Sequence, residues 1–301
     1  MLSLRQLLLA RRSGGVGLVR CVSATVDGVF CVVSLVPSPP VLVPELGGAA
    51  GASADGAVAA LRTAVLSAAG ELAGPVTRWV VVGVNGTNRL VGSDSVGTFR
   101  GFGADVRVSL SGSDDKGGVG HSAAASTAGT HPSGTAGTGV ATADPDLPLP
   151  ILIGGWLRAR TAPEVIAQGR LIAADATADE CLALGRDLRA ELDSAPENYG
   201  VLVVGDGAAT LTVKSPGYFD ERAEATQAEI DRVLTAGDRA ALAALDSGLC
   251  AELSVHGRAA YQVLAGLFAA DAIDPAVETL YAAAPFGVAY HVSVWRPGAA
   301  R

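Results

Sequence analysis

Three short runs in this chain are apolar at nearly every position: Val32 to Val36, Trp79 to Val84, and Val201 to Val204. A strand with one face in water alternates apolar and polar residues, whereas a strand covered on both faces does not. Runs of four to six residues are too short for buried helices and suit the inner strands of a sheet with helices packed on each side. Between them lie segments of helical period. Asp55 to Ala73 carries Val58, Leu61, Val65, Ala68, Ala69 and Leu72 on one face and stops at Gly74-Pro75. Strands alternating with helices predict an α/β fold, a three-layer sandwich around a mostly parallel or mixed sheet.

The rest of the chain fits this pattern. Arg170 to Ala174 is a further strand candidate, and Ala104 to Leu110 alternates strictly. Ile151 to Ala159 reads equally as strand or buried helix. Thr177-Ala178-Asp179-Glu180 is a capping box that opens a helix to about Leu192. Asp220 to Leu234, Arg239 to Leu245 and Cys250 to Ala270 read as helices, and Val277 to Ala283 with Gly287 to Trp295 as a closing pair of strands. Residues 111–146 are rich in Gly, Ser, Thr and Ala and predict a flexible surface insertion. Residues 1–28 carry several arginines without a proper apolar segment or cleavage site and read as a poorly ordered extension. The expected domain is therefore 29–297, interrupted by the insertion.

Composition excludes several function classes. With 301 residues and 49% hydrophobic residues, a sizeable core is available. The net charge of -8 argues against a nucleic-acid surface, which needs clustered Lys and Arg. No apolar run is long enough to span a bilayer, so neither membrane nor nucleic acid is an expected partner and a cytoplasmic location is expected. Cys21, Cys31, Cys181 and Cys250 form no CxxC pair and read as free thiols.

The common catalytic motifs are missing: there is no phosphate loop, no dinucleotide fingerprint, no nucleophile elbow and no HExxH. His121 and His131 fall in the expected insertion, where a catalytic base could not be held in position. Glu252 and His256 are four residues apart on an expected helix, where their side chains meet. That pair reads as a weak metal-ligand candidate or as an exposed surface pair. His291 reads as a surface or core-edge residue.

Three strand-end segments read together point further. They are Val36-Pro37-Ser38-Pro39-Pro40, then Val81-Val82-Gly83-Val84-Asn85-Gly86-Thr87, then Val203-Val204-Gly205-Asp206-Gly207-Ala208-Ala209. Their order and spacing resemble the class III extradiol ring-cleavage dioxygenases of the LigB-like type and the related Memo-like proteins, including uncharacterised actinobacterial members. The resemblance implies an α/β fold with a metal site at the strand ends, where two His and one Glu hold Fe(II) and a further His acts as acid and base. Carried onto this chain, the first metal His falls at Ser38, the second at Gly86, and the acid–base His at Ala208 or Ala209. A hydroxyl and a glycine do not replace two imidazoles on iron.

The expectation is thus a family member with a degenerate metal site and no cofactor, binding a small molecule or a protein partner. Its candidate pocket comprises Ser38, Glu45, Asn85, Gly86, Asp206 and Lys214, with Asn88 nearby. Ser38, Asn85 and Asp206 each follow a strand, and ligands of open α/β sheets bind beyond the carboxyl ends of strands. Asp206 and Asn85 can equally serve as turn caps. The alternative expectation is an active Fe(II)-dependent oxygenase, or another metal enzyme, using Glu252, His256 and Asp206. Assembly into homo-oligomers, or with a second active chain, is the further option that the resemblance leaves open.

Overall fold

The computed structural model describes residues 30–48, 56–74, 76–112 and 142–298. The expected N-terminal extension, His121 and His131 lie outside them. Of the expected insertion, Asp144 is described. It is bonded into the fold, its N–H donating to Val96 O at 2.8 Å and its carbonyl accepting from Thr98 N at 3.2 Å.

Strand β1 (Phe30–Val36) runs into a proline loop with two 3-10 turns, Pro40–Leu42 and Pro44–Leu46. Helix α1 (Ala57–Ala73) leads to β2 (Arg78–Asn85) and β3 (Arg89–Val91). A small antiparallel pair, β4 (Val96–Thr98) and β5 (Arg107–Ser109), precedes α2 (Leu149–Thr161) and β6 (Ile166–Ala173). Then come α3 (Ala178–Asp193) and β7 (Tyr199–Val204). Four helices follow: α4 (Ala223–Ala236), α5 (Arg239–Ala243), α6 (Ser247–Glu252) and α7 (Arg258–Leu267). The last two strands are β8 (Ala276–Ala283) and β9 (Tyr290–Arg296).

Seven strands form one mixed sheet in the order β3-β6-β2-β7-β1-β9-β8. The inner four, β6, β2, β7 and β1, are parallel, while β3, β9 and β8 add antiparallel edges. The three apolar runs of the sequence are three of these inner strands. In β2, Trp79 and Val81 face one layer and Val80 and Val82 the other, all fully buried. In β7, Leu202 and Val204 face the first layer and Val201 and Val203 the second. Helices α1 and α2 cover the first face, and α3, α4 and α7 the second. The expected three-layer α/β architecture is the observed one.

Local readings that the structure changes have clear causes. Ile151 to Ala159 is helical: Pro148 and Pro150 suit a helix start, and eight consecutive residues from Ile151 to Arg158 are buried between the sheet and the β4–β5 pair. The alternating segment Ala104–Leu110 contributes only Arg107–Ser109 as strand, paired with β4 outside the main sheet. Alternation marks a strand covered on one side, and this is where such a strand belongs. The capping box forms as read, with Thr177 Oγ1 accepting from Glu180 N at 3.3 Å and Glu180 Oε2 accepting from Thr177 N at 2.8 Å.

Helices α3 and α7 cross almost backbone to backbone. A Cβ placed on Gly185 would lie 2.3 Å from Val263 O and 2.7 Å from Gly266 Cα. We expect Gly185→Val to lower the unfolding free energy by about 2–3 kcal/mol, because neither neighbour is a side chain that can swing away. Gly70, inside α1, has nothing within 4 Å of its would-be Cβ. Gly70→Ala is expected to raise stability by about 0.5–1 kcal/mol. Urea melts of the two variants beside the parent chain check both signs.

Candidate functional site

Parallel strands send their carboxyl ends to one edge of the sheet, and here β1, β2 and β7 end side by side. The proline loop leaves β1 toward the α1 layer, where Leu42 and Val43 are buried, while the segment after β7 leaves toward the opposite layer, where Ala208 is buried. The crevice between them is a switch point of the kind at which open α/β sheets bind ligands. A cavity of about 550 Å³ lies there. Ser38 from the β1 loop, Asn85 from the end of β2 and Asp206 from the β7 loop all line it. Ser254 and His256, from the turn between α6 and α7, and Arg258, the first residue of α7, also line it.

Asp206 is the hub of this region. Its Oδ1 accepts from Ser38 N at 2.9 Å and its Oδ2 from Ser38 Oγ at 2.6 Å. Its own carbonyl accepts from Gly257 N at 2.7 Å, which draws the start of α7 against the β7 loop. A Cβ on Gly257 would meet Asp206 O at 2.7 Å and the Tyr261 ring at 2.6 Å, so this approach requires glycine. Burial pushes the Asp206 carboxyl above its ordinary value, opposed by the two bonds from Ser38 and by the nearby His256. A carboxyl of raised proton affinity, hydrogen-bonded to a hydroxyl, can hold or release a proton at the cavity wall.

The remaining sequence candidates lie elsewhere. Glu45 pairs with Arg160 at 3.4 Å on the surface. Gly86 is exposed, with open space where a side chain would stand. Lys214 is exposed in the loop after β7. Asn88 accepts from Ala173 N at 2.7 Å and ties the β2 turn to β6. None of these four lines the cavity. Ala208 and Ala209, onto which the acid–base His of the resemblance falls, are buried, and Ala208 N donates to Gln227 Oε1 at 2.9 Å.

Glu252 and His256 do not meet on one helix. Helix α6 ends at Glu252, and Ser254 adopts a left-handed conformation with φ of 53°. Val255 N donates to Cys250 O at 2.8 Å and Ser254 N to Ala251 O at 3.1 Å, the pattern of a Schellman helix end. The reversal turns His256 to the cavity and leaves Glu252 outside, where it accepts from Arg222 Nη1 at 2.8 Å. His291 is not a surface residue: it is buried, with Nδ1 3.0 Å from Asp231 Oδ1.

These placements decide the fit of an Fe(II) centre. Among the described residues no three His, Cys, Asp or Glu side chains converge closely enough to hold a metal ion. The donor set of Glu252, His256 and Asp206 is broken by the reversal after α6, so these residues do not fit an iron centre. No helix among the described residues is long and apolar enough to cross a membrane.

Arg258 is the site residue that sequence reading passes over. It is 5% exposed, and its Nη1 donates to Ala176 O at 2.6 Å and Gln262 Oε1 at 2.9 Å. A signal for it exists in the sequence: Arg258 and Gln262 are four apart in an otherwise apolar helical run, so they share a face, and α7 is buried all round.

The raised proton affinity of Asp206 fixes the sign of a pH effect. Folding favours its protonated form, so its contribution is fully present at low pH. It is lost as pH rises from the ordinary aspartate value through the raised one. We expect Asp206→Asn to remove that downward slope in a series of denaturant melts. Ser38→Ala leaves the carboxylate short of a donor, and is expected to steepen the slope and cost about 1–3 kcal/mol near neutral pH.

No protein-family model matches the chain, and no curated protein matches it. Among solved structures, it is similar to an uncharacterised protein of Escherichia coli K12, JW3007, at 13% sequence identity and a TM-score of 0.49, over 88% of this chain and 99% of that one.

Proposed function

We propose that this chain is an extradiol-dioxygenase-like protein that has lost the family's iron site and keeps the strand-end cavity as a binding site for a small polar molecule. One observation carries the reading. Ser38, Asn85 and Asp206, drawn from three segments far apart in the sequence, line a single cavity of about 550 Å³. That volume lies in the range of small-molecule sites, and its lining mixes apolar walls with a few polar groups, as such sites do. A concave cleft of this kind suits a small molecule better than a protein surface. The remaining lone pairs of Asp206 and of Ser38 Oγ offer acceptor positions for a ligand hydroxyl or amine, and the Asn85 amide offers both donor and acceptor.

The alternative, an iron enzyme with an atypical ligand set, lacks its three donors among the described residues. After anaerobic loading with Fe(II) and desalting, the protein is expected to retain clearly less than one iron per chain, with no oxygen uptake on catechols. Stoichiometric iron with turnover overturns the reading. For binding, catechol serves as a neutral probe titrated against isotope-labelled protein. It is expected to shift the amides of Gly205, Asp206 and Gly257, and Asn85→Ala is expected to weaken binding by about three- to tenfold, the value of one hydrogen bond.

A further inference from the structure

Where α7 begins, the cavity wall carries a positive charge with no carboxylate beside it among the described residues. Arg258, whose side chain is a guanidinium, is 5% exposed. Its partners are all neutral: Ala176 O, Gln262 Oε1 and Ala174 O, the last at 2.6 Å from Nη2, with the Cys181 thiol at 3.9 Å. Among the described residues no carboxylate lies within 4.0 Å of it. Its Nε–H and one Nη2–H have no acceptor there either. Buried charges are ordinarily paired, because an isolated one loses its hydration without compensation. Ala174, whose carbonyl takes Nη2, itself lines the cavity, so this end of the guanidinium stands at the wall.

A second feature of the same wall has the same sign. Helix α7, ten residues long, begins at Arg258 and has no side-chain cap at Gly257. Its first turn brings Ala259 to the cavity, and the N-terminal end of a helix favours an anion. Asp206, the one carboxylate among the described residues that lines the cavity, is engaged by Ser38 on both oxygens.

We propose that the cavity binds its ligand through an oxyanion, a carboxylate or a phosphate, held between the Arg258 guanidinium and the start of α7, while the ligand's hydroxyl or amine faces Ser38, Asn85 and Asp206. The inference rests on the strand-end cavity being a binding site and adds the chemical class of its ligand. A guanidinium at a cavity wall is the residue type that recognises planar or tetrahedral oxyanions with paired N–H donors.

The test uses the full chain, with inorganic phosphate and glycolate titrated separately by calorimetry at constant ionic strength set with chloride. At least one is expected to bind saturably and to raise the melting temperature. Binding is expected to weaken at least about tenfold in Arg258→Gln. Should that variant fail to fold, Ala251→Glu carries the test, since Ala251 is exposed, lines the cavity and would bring a repelling carboxylate to it. Phosphate alone binding assigns a phosphorylated ligand, and glycolate alone a carboxylate. Oxyanion binding that is absent, or unchanged in both variants, overturns the proposal. If catechol shifts the cavity amides while neither oxyanion binds, the oxyanion inference falls and the cavity reading stands. If an oxyanion binds through Arg258 while catechol does not, the oxyanion inference stands and the role given to Asn85 falls.

Discussion

Strand β7 lies between β1 and β2 with apolar residues on both faces, and most of the architecture follows from that burial. A strand with no face in water must be covered by helices on two sides. Its neighbours run parallel to it, and parallel neighbours cannot be joined by tight hairpins. The chain therefore returns each time through a helix, α1 and α2 on one side and α3 on the other. Every inner strand then delivers its carboxyl end to the same edge. Ser38, Asn85 and Asp206 come together there because three buried strands stop at one level.

The cavity at that edge is electrostatically divided. Asp206 is held by Ser38 through both carboxylate oxygens, and burial raises its proton affinity. Arg258, by contrast, is buried among carbonyls and an amide at the start of α7, which has no side-chain cap. The two are joined through the backbone, by the Gly257 N–H on the Asp206 carbonyl. Such a wall is what the proposed ligand, with one anionic and one hydrogen-bonding end, requires.

The three strand-end positions that the sequence resemblance singles out have different surroundings. Ser38 stands where the resemblance places the first metal His, and its hydroxyl is engaged by Asp206 rather than offered to a metal. Gly86 has room for a larger side chain but carries none. Ala208 is buried under Gln227, so an acid–base group there would face the core. The three departures differ in their structural consequences, and none of them disturbs the sheet.

Much of the fold was legible because burial on two faces writes itself into a sequence as unbroken apolar runs. Trp79 to Val84 and Val201 to Val204 could be little else, and the Thr177–Glu180 capping box is a local interaction readable at short range. The failures came where a contact distant in sequence decided the outcome. The period of Cys250 to Ala270 suits one helix, yet the turn at Ser254 and the close packing of Gly257 on Asp206 divide it in two, and that division separates Glu252 from His256. Ile151 to Ala159 needed the sheet and the β4–β5 pair on either side before its helical state was decided. The sequence by itself determined a layered α/β sheet, its inner strands and the want of imidazoles at the three strand-end positions, because those depend on residue type and local period. Only the tertiary structure decided that Ser38 bonds Asp206, that Arg258 is buried with no carboxylate beside it among the described residues, and that both line one cavity. Those facts depend on which strand ends and helix starts lie next to one another, and no local spacing encodes that.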